Sequence, residues 1–236
     1  MRWRALKLDY RYAAGELAIV TAGVLIALAI DQWNSNRLDQ AEEVVIVNDL
    51  LVDLDYDRAG IELGLGFTPE KEASLWRVYG QLSSAGSAPK DPVAFLEDII
   101  EGSRYGWSQF IERRTTFDEL LGSGRFNLIR DSELRAQISA YYAYVDEVRD
   151  RIVERKTEYP NLSYKLAPRT DEFDLDPSLS SDQVAQLAAR ATQLLPGEIV
   201  IAEINFSRFT NGLLLTLEQA RGDLYDRLQS YRQAIR

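Results

Sequence analysis

The sequence predicts an all-α protein: a single N-terminal transmembrane helix that continues into a helical bundle outside the membrane. Three observations carry this. Ala13 to Trp33 supply the roughly 20 residues a helix needs to cross a bilayer, with no charge between Leu17 and Ile30. Beyond Trp33, apolar residues recur at steps of three and four in one segment after another, the period of a helix with one buried face. Two of these segments, opening near Asp131 and Pro196, are long enough to be bundle helices.

The flanks of the apolar stretch set its direction. Arg2, Arg4, Lys7 and Arg11 precede it, whereas Asp31, Asp39, Glu42 and Glu43 outnumber Arg37 after it. Basic residues near a span stay on the cytoplasmic side, so residues 1–12 are expected to be a cytoplasmic stub, 13–33 the span, and 34–236 an extracytoplasmic helical domain. Trp3, Tyr10 and Tyr12 on one side and Trp33 on the other suit the two interfacial aromatic belts. A cleaved signal peptide has the same basic and apolar parts and a small-x-small site at Ala27 to Ala29. Against cleavage, the helical pattern runs past Ala29 without a break, and Glu16 interrupts the start of the apolar run.

Within the span, Ala14, Ala18 and Ala22, and likewise Gly23 and Ala27, have the small-xxx-small spacing that lets another helix approach closely. They are the candidate membrane-helix packing residues. Glu16 is the candidate intramembrane polar contact; its alternative is an interfacial first-turn residue near Arg11, favoured by the helix dipole.

Composition bounds the remainder. The 236 residues leave about 200 outside the span, enough for one domain with its own core. The net charge of −10 hides an asymmetry, because residues 17–236 hold 23 basic and 35 acidic groups. An acidic body disfavours nucleic acid and anionic lipid headgroups, which need a basic footprint. The chain has no cysteine and no histidine, which removes disulfides, Ser-His-Asp and Cys-His catalysis, and zinc or iron–sulfur sites built on thiolate or imidazole.

After the span the first helix is expected to end at Gly60, Gly64 and Gly66, with Val44, Val47, Leu51, Leu54 and Ile61 facing the core. Asp49, Asp53 and Asp57 read as a solvated acidic face. The DLDYD sequence beginning at Asp53 lacks the glycine and the terminal glutamate of a calcium loop, where Arg58 and Gly64 stand instead. Thr68 and Pro69 open a second helix with Leu75, Trp76, Tyr79 and Leu82 inward. Asp91 and Pro92 start a short one with Phe95, Ile99 and Ile100 inward. Gly102 to Arg114, with Tyr105, Trp107 and Phe110, carries no clear pattern. Thr116 and Glu119 form a capping box, Gly122 and Gly124 a stop, and Asp131 the cap of a long helix with a seam at Leu134, Ile138, Tyr141, Val145, Val148 and Ile152.

Two of these stretches carry a family resemblance. Gly15, Glu16, Ala27, Leu28, Ile30, Trp33 and Asn34, followed by Glu119, Leu120, Ser123, Gly124, Ile129, Tyr141 and Tyr142, resemble a bacterial family of single-pass inner-membrane proteins of unknown function. The chain departs from that pattern at Asp31, where a neutral residue is expected. The resemblance implies a helical domain anchored in the bacterial inner membrane and lying in the periplasm, and it supplies no activity.

Pro160 to Ser180 contains Asp171, Glu172, Asp174 and Asp176, read as an exposed acidic loop without metal. Ser180 and Gln183 cap a helix to about Leu194, and Pro196 opens the last one. Its stripe is Leu213, Leu217, Ala220, Leu224, Leu228, Tyr231 and Ile235, with Glu218, Arg221 and Asp226 outside.

No cofactor is expected. The function that follows is a non-enzymatic scaffold or accessory assembly subunit, partnered by membrane lipid and by copies of itself or other inner-membrane subunits. The alternative is a periplasmic ligand-sensing bundle, whose weakness is a stub too short to hold an output domain. A carboxylate-based hydrolase has acids available but no paired motif.

Overall fold

The computed structural model describes residues 10–84, 87–104, 112–171 and 174–235, with side chains from Glu16 onward. Its helices are α1 (Tyr10–Ser83), α2 (Pro92–Glu101), α3 (Thr115–Ser123), α4 (Ser132–Glu154), α5 (Tyr159–Leu166), α6 (Ser181–Leu194) and α7 (Gly197–Ile235), with a 3-10 turn at Arg125–Leu128. The described residues contain no strand beyond a single bridge between Arg169 and Leu175.

α1 is one helix of 74 residues, which corrects the expected break. It passes through Gly60, Gly64, Gly66 and Pro69, although interior glycines each cost about 1 kcal/mol and the proline leaves the Leu65 carbonyl without its usual donor. Tertiary packing outweighs these local penalties. α7 runs back antiparallel along α1, pairing Gln40 with Ile235, Lys71 with Glu203 and Glu72 with Arg208. Ile61 before the proline and Leu75 and Val78 after it therefore stay buried on one continuous line.

α4 lies parallel to α1 and antiparallel to α7, with Asp131 bound to Arg227 and Tyr141 to Asp57. Its expected seam is buried at all six positions, and Tyr142 is buried with it. One core cluster joins Val47, Leu50 and Leu54 to Ile138, Leu217 and Leu228. A second joins Leu75 and Val78 to α2, α5, α6 and the start of α7. A third, smaller cluster joins Val148 and Ile152 of α4 to Phe206 and Leu213 of α7, and a buried polar layer of Lys71, Ser74, Glu203 and Ser207 lies along α1 and α7 between the first two.

The caps follow the sequence with one exception. Asp91 accepts from the Ala94 N–H, Asp131 from Glu133 and Leu134, and Ser180 with Gln183 forms a complete capping box. Gly124 ends α3 at φ +70°, a conformation that suits glycine. α3, however, starts at Thr115 without a side-chain cap of its own. The Thr116 N–H donates instead to Asp53 of α1, so no capping box forms there. Trp76 is 44 % exposed and not in the core, and Arg221, expected outside, is buried. α5 occupies the first part of the Pro160 to Ser180 stretch read as a loop, its buried Tyr159 donating to the Ile99 carbonyl at 3.2 Å. Tyr105, Trp107, Phe110 and Glu172 lie outside the described residues.

Two glycine substitutions should move stability in opposite directions in urea unfolding of the full chain. Gly66 has open space around its Cα, so Gly66→Ala is expected to stabilise by about 0.5–1 kcal/mol. A Cβ at Gly102 would meet Leu75 Cδ2 at 2.7 Å and Tyr159 Oη at 2.8 Å, so Gly102→Ala is expected to destabilise by about 1–3 kcal/mol. Equal shifts would contradict the packing described for the second core.

Candidate functional site

The first candidate is the projecting end of α1. Leu17, Ile19, Val20, Val24, Leu25, Ile26, Leu28 and Ile30 are all more than half exposed, and no residue of the most apolar window is buried. By length and composition this segment is sufficient to cross a membrane. Glu16, Ala18, Ala22, Gly23 and Ala27 are exposed as well, and nothing lies within 4 Å of where a Gly23 Cβ would stand. Helical phase puts Ala18 and Ala22 on one face and Gly23 and Ala27 on another, so the small residues form two stripes. Trp33 is exposed beneath the Arg37 guanidinium at 5.7 Å. Trp3 and the side chains of Tyr10, Tyr12 and Ala14 lie outside the described residues.

The second candidate is a line of carboxylates that α1 buries. Glu43, Asp53 and Asp57 are 1 %, 3 % and 0 % exposed, which corrects the reading of Asp53 and Asp57 as a solvated face; Asp49 alone of that set is exposed. Helical spacing did not separate the cases, because these acids point at a segment that returns from far along the chain. Asp57 Oδ1 accepts from the Arg113 N–H at 2.7 Å and Oδ2 from the Tyr141 hydroxyl at 2.6 Å. Asp53 accepts from the Thr116 N–H at 3.0 Å and pairs with the Arg113 side chain at 3.1 Å. Glu43 accepts from the Arg130 N–H at 2.7 Å and from the Tyr231 hydroxyl. The three acids thus bind the backbone on either side of α3, and Asp53 takes the place of the side-chain cap that the start of α3 lacks.

Burial pushes the Asp57 carboxyl up to about 6 from the ordinary 3.8, against the lowering effect of its hydrogen bonds from Tyr141 and Arg113. The neighbouring Asp53 charge adds to the rise. Burial, then the Asp57 charge, likewise raise the phenols of Tyr141 and Tyr142, so both remain donors. Tyr142 stacks on Phe117 with centroids 4.4 Å apart.

A third polar cluster lies in the layer between the cores. The Lys71 ammonium bonds Glu203 and the Arg104 carbonyl, and the Thr157 hydroxyl donates to the other Glu203 oxygen. Neither charge reaches solvent, and each is matched within the layer. Among the described residues no group of three or more acidic side chains is placed to hold a metal ion. Asp171 and Asp174 are exposed, with Asp171 accepting from the Asp174 N–H. Cavities of about 410 Å³ between α1 and α3 and about 240 Å³ between α4 and α7 open on the surface of the bundle.

Two measurements test these clusters. Asp57 has a folded pKa above its unfolded value, so its contribution to stability is full below about pH 4 and is lost as pH rises through about 6. Relative to the parent, Asp57→Asn is expected to gain on the order of 2–3 kcal/mol between pH 4 and 7.5; a pH-independent difference would contradict this. Lys71→Met is expected to cost about 3–5 kcal/mol by leaving the Glu203 charge buried alone, and Lys71→Met with Glu203→Leu to recover most of that loss in the same unfolding assay.

The model of a family of unknown function, DUF6090, matches residues 16–154. No curated protein and no solved structure matches the chain. The matched region runs from Glu16 in α1 to the end of α4 and contains, apart from Gly15, the residues that carried the resemblance. It covers more than half of the sequence, and the chain belongs to the DUF6090 family of unknown function.

Proposed function

We propose that this protein is a non-enzymatic, single-pass membrane protein that serves as a scaffold or accessory assembly subunit of a bacterial inner-membrane complex. Its N-terminus lies in the cytoplasm and its bundle in the periplasm. It acts by packing its span and bundle faces against lipid and against protein subunits. The supporting observation is the division of α1 into an exposed apolar part and a part that forms the bundle core, within one unbroken helix. Each large apolar side chain left in water costs about 1–2 kcal/mol, so eight of them call for a covering of lipid or protein.

The remaining geometry supports a structural role. Glu43, Asp53 and Asp57 are committed to backbone N–H groups and phenols, and Lys71 to Glu203, so the buried ionisable groups act as fasteners. The two stripes Ala18–Ala22 and Gly23–Ala27 give the span two close-approach faces, as a helix between neighbours requires.

Alkaline carbonate washing of membranes is expected to leave the intact chain in the pellet, and protease added to spheroplasts to digest the bundle. Blue native electrophoresis in mild detergent should place the chain in an assembly larger than a monomer. Gly23→Leu with Ala27→Leu is expected to reduce that assembly without altering urea unfolding of the bundle. Extraction by carbonate or a monomer with no companion protein would refute the proposal.

A further inference from the structure

We infer that the groove between α1 and α3 is a docking site for a basic amphipathic helix of another protein. The inference names a partner class for the assembly reading above and rests on it for its cellular setting. The groove, about 410 Å³, has an apolar floor that includes Ala41 and Val45 of α1 and Leu120 of α3. Val45 is 56 % exposed, although Ile46 beside it is buried in the core. Leu38, seven residues before Val45, and Val52, Tyr56 and Leu63, which follow it at steps of seven, four and seven, are each at least half exposed. They extend the floor as one apolar line along the outer side of α1. From Ala41 to Asp49 the groove is about 12 Å long, which matches two turns of a helix.

Charge selects the occupant. Glu42, Asp49 and Glu119 line the groove with a single cation, Arg125. Arg125 is already engaged, paired with Glu42 and 3.9 Å from Glu119. The rim is therefore net negative around an apolar floor, and its complement is an apolar stripe bordered by Lys or Arg. A second copy fits less well. Two copies anchored alike in one bilayer would bring the same acids together at the same height, Asp49 beside Asp49, and such like-charge contacts disfavour pairing.

The chain contains no cysteine, so Val45→Cys introduces a single thiol for an environment-sensitive dye. The full chain is placed in nanodiscs of zwitterionic lipid and titrated with a synthetic amphipathic peptide of about 14 residues, leucines on one face and lysines beside them. A saturable blue shift is expected. Replacing the peptide lysines by glutamate, or introducing Asp49→Lys with Glu119→Lys, should weaken it at least about tenfold. Dye at Val153→Cys, a comparably exposed valine on α4, should not respond. No saturable shift, or equal binding of both peptides, overturns the assignment. So does a shift that grows with protein concentration in the absence of peptide, which would place a second copy in the groove. The outcome separates from the assembly reading. A large native complex in which the Val45→Cys thiol stays freely reactive removes the groove and leaves the assembly. Selective binding of the lysine peptide by a chain that runs as a monomer does the reverse.

Discussion

The antiparallel packing of α7 along α1 is the interaction on which the rest of this structure depends. Left to its own propensities, α1 would stop near Gly60 to Gly66 and restart at Pro69. The apolar line through Ile61, Leu75 and Val78 has to remain continuous against α7, and that burial outweighs several small backbone penalties. One consequence is mechanical. The exposed apolar end of α1 and the far core around Leu75 belong to a single unbroken helix.

A second constraint is the placement of buried charge. α1 carries Glu43, Asp53 and Asp57 into the protein, where each meets a backbone N–H from the segment between residues 112 and 131. Charge-assisted hydrogen bonds of this kind are stronger than neutral ones, and they set where that segment lies. The Lys71–Glu203 pair then fixes the register of α1 against α7 at the boundary between the two cores. An apolar interface alone would tolerate a shift of one turn; a buried pair that must stay matched disfavours it. The matched family region runs from Glu16 in α1 to the end of α4, while α7, which contributes to all three core clusters, follows it.

These features point the same way. The buried polar groups hold elements together, and α1 exposes apolar surface at its projecting end and along the line that runs past Val45.

Much of this was legible in the sequence, because it rests on local rules. The long apolar stretch at the start of α1, the α4 seam from Leu134 to Ile152, the caps at Asp91, Asp131 and Ser180, and the C-terminal stripe through Leu228 all follow from composition, period and capping chemistry within one segment. What the sequence could not decide is what sits opposite each helix. Asp49, Asp53 and Asp57 share one spacing, yet two are buried and one is not, since the backbone that meets Asp53 and Asp57 lies more than 50 residues away. The continuity of α1 through Pro69 and the burial of Arg221 have the same origin. Local propensity is a property of the chain, but the balance that overrides it comes from neighbours that only the folded arrangement supplies.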